Sequence, residues 1–114
     1  NFKVGIDIVS VKRFKKKPYD DNKSFYKKIF SESEIKYCLN SKNSYERFAG
    51  KFALKEALIK SIDEKVHFSE IETSHIHSKP TIKFVKSNTK YEFIASLSHE
   101  TDFAIAIVIA EKIK

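Results

Sequence analysis

Apolar and polar positions nearly alternate along Phe2–Val11 (FKVGIDIVSV), with Val and Ile dominant, and this predicts a first strand. The period then changes. Ser24–Phe30 predicts a short helix with Phe25 and Ile29 inward. Ser31-Glu32-Ser33-Glu34 spells a capping box, and it opens a helix over Glu32–Leu39 whose buried side is Ile35, Cys38 and Leu39. Ser44–Ile62 carries the strongest helical pattern. Phe48, Phe52 and Ile59 recur at near-helical spacing, Ala49, Ala53, Ala57 and Leu58 widen the stripe, and Ser44 is the expected N-cap. Gly50 costs about 1 kcal/mol of helix stability, so it is read as a place where another backbone comes close. Alternation returns in Phe68–His77, Thr81–Lys86, Phe93–Leu97 and Phe103–Glu111, with turns at Ser78–Pro80, Ser87–Lys90 and Ser98–Asp102. The run FAIAIVIA is nearly all apolar, which predicts a central, buried strand. The order is strand, helices, four strands. It predicts an α+β fold, an antiparallel sheet packed against one long helix, as a single domain over residues 1–114.

Charge narrows the class of partner. Lys and Arg number 22 against 15 acidic residues, a net charge of +7, which points to an anionic partner. Arg occurs only at 13 and 47, and base readout leans on bidentate Arg, so sequence-specific DNA binding is disfavoured. The single cysteine, Cys38, permits no intrachain disulfide and fits a reducing compartment such as the cytoplasm. It reads as a small core residue rather than a nucleophile. No run approaches the roughly 20 apolar residues of a membrane span. Asn1–Ser10 reads as a strand rather than a signal peptide, and the lack of Met leads us to expect at least one residue before Asn1.

Several positions are candidates for chemistry. Asp7 interrupts an apolar strand, between Ile6 and Ile8, where a charge is costly unless paired or bound to a cation. Gly5 beside it suggests close approach by another group. Lys12–Lys17 (KRFKKK) is either a solvated face or a docking patch for an acidic surface, with Phe14 as its apolar anchor. Arg47, Lys51 and Lys55 are spaced by four and form one basic ridge. Glu56 and Lys60 are spaced likewise. They read either as an exposed i,i+4 ion pair or as a metal-binding carboxylate with ammonium groups for phosphate, which needs a second carboxylate from elsewhere. His75 and His77 share a strand face without an obvious third metal ligand, and His99 at a hairpin tip reads as ordinary surface.

Separated segments line up with one family. GIDIVSVKRF resembles the first motif of the 4′-phosphopantetheinyl transferases, and RFAGKFALKEALIK resembles their second, a W/F-x-x-KEA-x-x-K helix. SLSHETDFAIAIV is similar to the S-x-[ST]-H hairpin of the small synthase class, and FYKKIFSESEIKYC matches its F-[ST]-x-x-E pattern. The resemblance spans nearly the whole chain. It implies transfer of phosphopantetheine from coenzyme A to a serine of an acidic acyl carrier protein in fatty acid biosynthesis. Asp7 and Glu56 would be the carboxylates that hold Mg2+, which accepts two carboxylates plus substrate phosphates and waters. The resemblance further implies that Lys60 offsets charge on the phosphates, and that Lys51, Ser98 and His99 contact the nucleotide, the last two from a neighbouring subunit. Arg13, with Lys12, Phe14, Lys15 and Lys16, would meet the carrier. It implies a homotrimer with interfacial sites, and neither nucleic acid nor membrane as partner. One segment departs from the family pattern: Ser61–Lys65 lacks the glycine-rich turn expected after the second motif. That departure leaves room for a chain that binds the carrier without coenzyme A. A non-catalytic basic module for RNA or an acidic protein is the other alternative, and it gives no reason for Asp7 and Glu56 to be acidic.

Overall fold

In the computed structural model, which describes residues 1–86 and 90–113, strand β1 (Phe2–Ser10) begins the chain. Three helices follow: α1 (Lys12–Lys15), α2 (Lys23–Ile29) and α3 (Glu32–Leu39). The long helix α4 (Ser44–Ser61) leads to the strands β2 (Ile71–Ile76), β3 (Lys79–Phe84), β4 (Tyr91–His99) and β5 (Phe103–Lys112). All pairing is antiparallel, and α4 packs across the sheet β1-β5-β4, as expected. The strands divide into two sheets rather than one, because β2 and β3 pair only with each other. Phe68–Glu70 is a 3-10 turn, so β2 starts later than predicted. Its hairpin turns on His77 and Ser78, both at positive φ (51° and 67°), the two-residue geometry that suits the strand twist. The turn predicted at Ser87–Lys90 lies largely outside the described residues.

Helix α4 comes very close to the sheet because the sheet offers it almost no side chain. On β5, Ala104, Ala106, Val108 and Ala110 face the helix and are buried. On β1, Gly5 faces it, and a Cβ there would lie 1.9 Å from the Ala57 carbonyl oxygen. The close approach expected at Gly5 is therefore backbone to backbone. At Gly50 it is not: the nearest group is the Leu97 side chain, 3.1 Å from where a Cβ would sit. Strand β5 is central, but only one of its faces is buried. Ile105 and Ile107 on the other face stay exposed, with Val4, Ile6 and Ile8 of β1 and Ile94 of β4.

The same core continues under the helices. Phe14 is fully buried, with the rings of Phe25, Tyr26, Phe30, Phe48 and Phe52 at 5.6–6.4 Å from its own. It is a packing residue, and the reading of Phe14 as an exposed docking anchor is corrected. Tyr26, rather than Phe25, is the fully buried ring of α2, because its hydroxyl finds the carbonyls of Lys17 (2.7 Å) and Phe14 (3.2 Å). Leu39, expected inside, is exposed at the end of α3, while Ile35 and Cys38 are buried. Helix α4 has Asn43 at its N-cap position. Ser44 is its first residue, and its hydroxyl donates to the Ser41 carbonyl instead of capping.

The capping box of α3 is present and does more than cap. Ser31 N–H donates to Glu34 Oε1 (2.8 Å), and Glu34 N–H donates to Ser31 Oγ (3.2 Å). Oε1 also accepts from Lys55 Nζ (2.7 Å), and Oε2 accepts from Thr73 N–H (2.8 Å) and Thr73 Oγ1 (2.6 Å). Lys55 completes its shell on the carbonyls of Ile29 (2.8 Å) and Phe68 (3.3 Å). Both side chains are essentially inaccessible, so α3, α4 and β2 are joined by a buried, fully bonded ion pair.

Burial alone would raise the Glu34 carboxyl, but Lys55, Thr73 and Ser31 together hold it below its ordinary value of 4.5. A depressed carboxyl stabilises the fold above the unfolded value, and that stability is lost as pH falls through the folded value. Glu34→Gln is expected to cost about 3–5 kcal/mol in urea unfolding near neutral pH, and to flatten the acid limb below pH 4.5 seen in the parent. Gly5→Ala is expected to cost about 3 kcal/mol in the same assay, because backbone and not a flexible side chain must move.

Candidate functional site

The alternation of β1 sends Asp7 to the same side as Gly5, toward α4, while Ile6 and Ile8 face the open side. The Gly5 contact seats the last turns of the helix beside it. Lys60 Nζ donates to Asp7 Oδ1 (3.0 Å) and to the Ile6 carbonyl (3.3 Å). The i,i+4 pair with Glu56 is therefore replaced by a bond across to the strand. Among the described residues Glu56 has no salt bridge. It is half-buried, and its carboxyl is held above the usual value by that burial and by the neighbouring Asp7 charge, against the pull of Lys60 and Arg13. Asp7 and Glu56 thus share one small region, with Lys60 at its edge.

Lys60 and Arg13 offset the negative charge of the two carboxylates only in part, since the Glu56 carboxyl stays raised. A half-buried carboxyl destabilised by a second carboxylate is relieved by a bound cation. The donors are oxygens only and just two protein groups, leaving positions for waters and phosphate oxygens, which fits Mg2+ better than a thiolate- or imidazole-loving metal. His75 and His77 form no such centre: His77 lies in the hairpin turn, and no group of three metal-ligating side chains occurs among the described residues.

Arg13 stands between this region and the basic surface. Its guanidinium lies 4.7 Å from the Phe52 ring centroid, and its charge reaches Glu56. Exposed Lys12, Lys16 and Lys17 surround it and line a shallow cavity with Ser10 and Asn22.

The remaining predicted residues do not join Asp7 and Glu56. The expected basic ridge is mostly interior: only Arg47 is partly exposed, and Lys55 is in the buried pair. Lys51 is buried as well. Its ammonium donates to Thr73 Oγ1 (2.9 Å) and the Thr73 carbonyl (3.3 Å) and lies 4.7 Å from the Tyr37 ring centroid. Burial pushes it below the usual lysine range. The ammonium that the resemblance assigns to the nucleotide is thus bonded to Thr73 within the chain. His99 ends β4, the edge strand opposite β1, and faces α4 near its start. Ser98 points the other way, to the open apolar face, in register with Ile105. A cavity of about 420 Å3 beside His99 is lined by Arg47, Tyr37, His75 and Ser78.

Sequence reasoning missed Glu34, Thr73 and Glu46 as partners of the lysines and of His99. The capping motif located Glu34, but nothing local connects it to Lys55. The glycine-free turn after α4 is anchored by side chains: Asp63 accepts from Lys3, and Glu64 accepts from Tyr91 Oη (2.7 and 3.0 Å).

Comparison with known proteins shows the family and agrees with the fold. The sequence profile of the 4′-phosphopantetheinyl transferase superfamily matches residues 3–108. The holo-[acyl-carrier-protein] synthase of Mycoplasma capricolum is 36% identical over 110 residues, covering 95% of this chain and 93% of the relative. The Helicobacter pylori holo-[acyl-carrier-protein] synthase, solved in complex with coenzyme A, superposes with a TM-score of 0.81 at 33% identity, covering 95% of this chain and 99% of that one. A Bacillus anthracis holo-(acyl-carrier-protein) synthase solved with CoA (3′,5′-ADP) gives 0.80 at 31% identity, with 96% of each chain covered.

The raised Glu56 carboxyl has a thermodynamic consequence. Its ionised form costs stability at neutral pH, and that cost disappears as pH falls through the raised folded value. In EDTA at pH 7, Glu56→Gln is expected to melt a few degrees above the parent, with the gap closing on acidification. Added Mg2+ is expected to raise the melting point of the parent and not of the variant, as read by differential scanning calorimetry.

Proposed function

The chain belongs to the 4′-phosphopantetheinyl transferase superfamily, alongside the holo-[acyl-carrier-protein] synthases, and from that premise we propose the reaction it carries out. The 4′-phosphopantetheine of coenzyme A is transferred to a serine of apo acyl carrier protein, in the service of fatty acid biosynthesis. A bond forms between the serine oxygen and the β-phosphorus, and the bond from that phosphorus to the bridging oxygen breaks. The electron pair leaves with 3′,5′-ADP, and the serine gives up its proton. The convergence of Asp7, Glu56 and Lys60 is the observation that carries this reading.

Asp7 and Glu56 would hold Mg2+ there. When bound, the ion neutralises charge on the two phosphates and orients them. Lys60, with the most exposed head of the cluster, swings from Asp7 to the phosphate that takes up charge as the bond breaks. Arg13, Lys12 and Lys16 receive the acidic carrier, and the net charge of +7 steers it in. Phe14 supports that surface from beneath by packing. Cytoplasmic placement suits a chain whose one thiol, Cys38, is buried and pushed up to about 12.

The protein works as a homotrimer. Two features support this. The sheet face opposite α4 exposes Val4, Ile6, Ile8, Ile94, Ile105 and Ile107 together, a patch of the kind that marks an interface. Asp7 lies on one edge strand and His99 on the other, so a cyclic arrangement that sets one edge against the next completes a site that one chain leaves divided.

The test is mass spectrometry of apo carrier protein after incubation with the enzyme, coenzyme A and Mg2+. The expected result is a gain of one phosphopantetheine per carrier, lost with EDTA, and slowed at least about 100-fold by Glu56→Gln. No gain with the parent enzyme rejects the transferase reading.

A further inference from the structure

Beyond the residues the reaction itself requires, one side chain stands where it controls another. Glu46 lies in the first turn of α4, and its Oε1 is 3.5 Å from Nδ1 of His99 at the end of β4. Neither group is loose: their side chains are 20% and 29% exposed. The contact joins a rigid helix start to a hairpin end, the part of a hairpin least constrained by its ladder. His99 also lines the cavity shared with Arg47 and His75. His75 Nδ1 is buried there without a hydrogen-bond partner among the described residues. The cavity wall therefore presents three basic side chains, and Glu46 is the carboxylate that contacts one of them from behind.

The two nitrogens of an imidazole lie on different edges of the ring, and a carboxylate at one fixes the orientation and hydrogen-bonding of the other. We propose that Glu46 is a positioning residue, which holds His99 by Nδ1 so that Nε2 is presented to a phosphate on the nucleotide half of coenzyme A. This rests on the transferase reading above. Glu46 touches no substrate. It reduces the entropy that His99 would otherwise lose on binding. Its effect belongs to affinity for coenzyme A and not to the chemical step, because Asp7 lies on the other edge strand and Glu56 and Lys60 lie in the last turns of α4, away from Glu46 in its first.

The experiment is steady-state transfer by the full chain with apo carrier, Mg2+ and varied coenzyme A. Glu46→Ala is expected to raise KM for coenzyme A about tenfold with kcat within about twofold. Glu46→Gln, which still offers an oxygen to Nδ1–H, should recover most of that loss. In a double-mutant cycle, adding Glu46→Ala to His99→Ala should raise KM no further. An unchanged KM in Glu46→Ala overturns the proposal. So do effects that multiply in the double variant, or a Glu46→Gln variant as impaired as Glu46→Ala. If Glu46→Ala does not fold, the Glu46→Gln variant with and without His99→Ala decides by the same criteria. Absence of transfer by the parent enzyme defeats the transferase reading. Transfer by the parent with an indifferent Glu46 defeats this inference alone.

Discussion

The carbonyl of Ala57 occupies the space where any side chain at position 5 would have to stand. Strand β1 and helix α4 are thereby in direct backbone contact, and the rest of the site is measured from that contact. Asp7 is two residues along the strand from Gly5, on the same side, and Glu56 is one residue along the helix from Ala57. A wider spacing would move the two carboxylates apart and put the Asp7 oxygen beyond reach of Lys60. The small residues of β5 serve the same end, since Ala104, Ala106 and Ala110 let the helix lie low across the middle strand. The geometry of the candidate site is set by the smallness of the residues between strand and helix.

The opposite side of α4 is held differently. Glu34 and Lys55 satisfy each other and five further backbone or hydroxyl groups, so a pair of charges that would be costly alone becomes a joint between three elements. Lys51 extends the joint through Thr73 to Tyr37, whose ring stacks on His75 at the cavity wall. A continuous line of contacts thus runs from the deepest ion pair to the cavity beside His99. The Asp7–Glu56 cluster and that cavity share α4 as their common support, and none of the residues lining the cavity belongs to the cluster.

Much of this was legible beforehand, for reasons that can be named. A carboxylate inside an apolar strand has few explanations, so Asp7 stood out, and glycine beside it announced the close approach. The capping box is a local device, decided within four residues, and it formed as read. The nearly unbroken apolar run identified β5 as central. What stayed hidden depends on partners far along the chain. Spacing by four places Arg47, Lys51 and Lys55 on one side of a helix, but it does not say whether that side is wet. Lys55 is buried because Glu34 waits 21 positions away, and Lys51 because Thr73 does so 22 positions away. Phe14 misled for the same reason. Its neighbours in sequence are charged, while its neighbours in space are the rings of α2 and α4. The separation of His99 from Asp7 is a matter of strand order, which alternation along single strands does not encode.

The lysines of α4 therefore differ in a way that their shared motif conceals. Acylating reagents and acetyltransferases need an accessible, unprotonated amine, and solvent reaches the head of Lys60 but not that of Lys55. Covalent labelling of the intact protein would silence the amine that bonds Asp7 while sparing the one that holds the helices together. Lys55 becomes a target only once the chain has opened, so its labelling registers unfolding rather than inhibition.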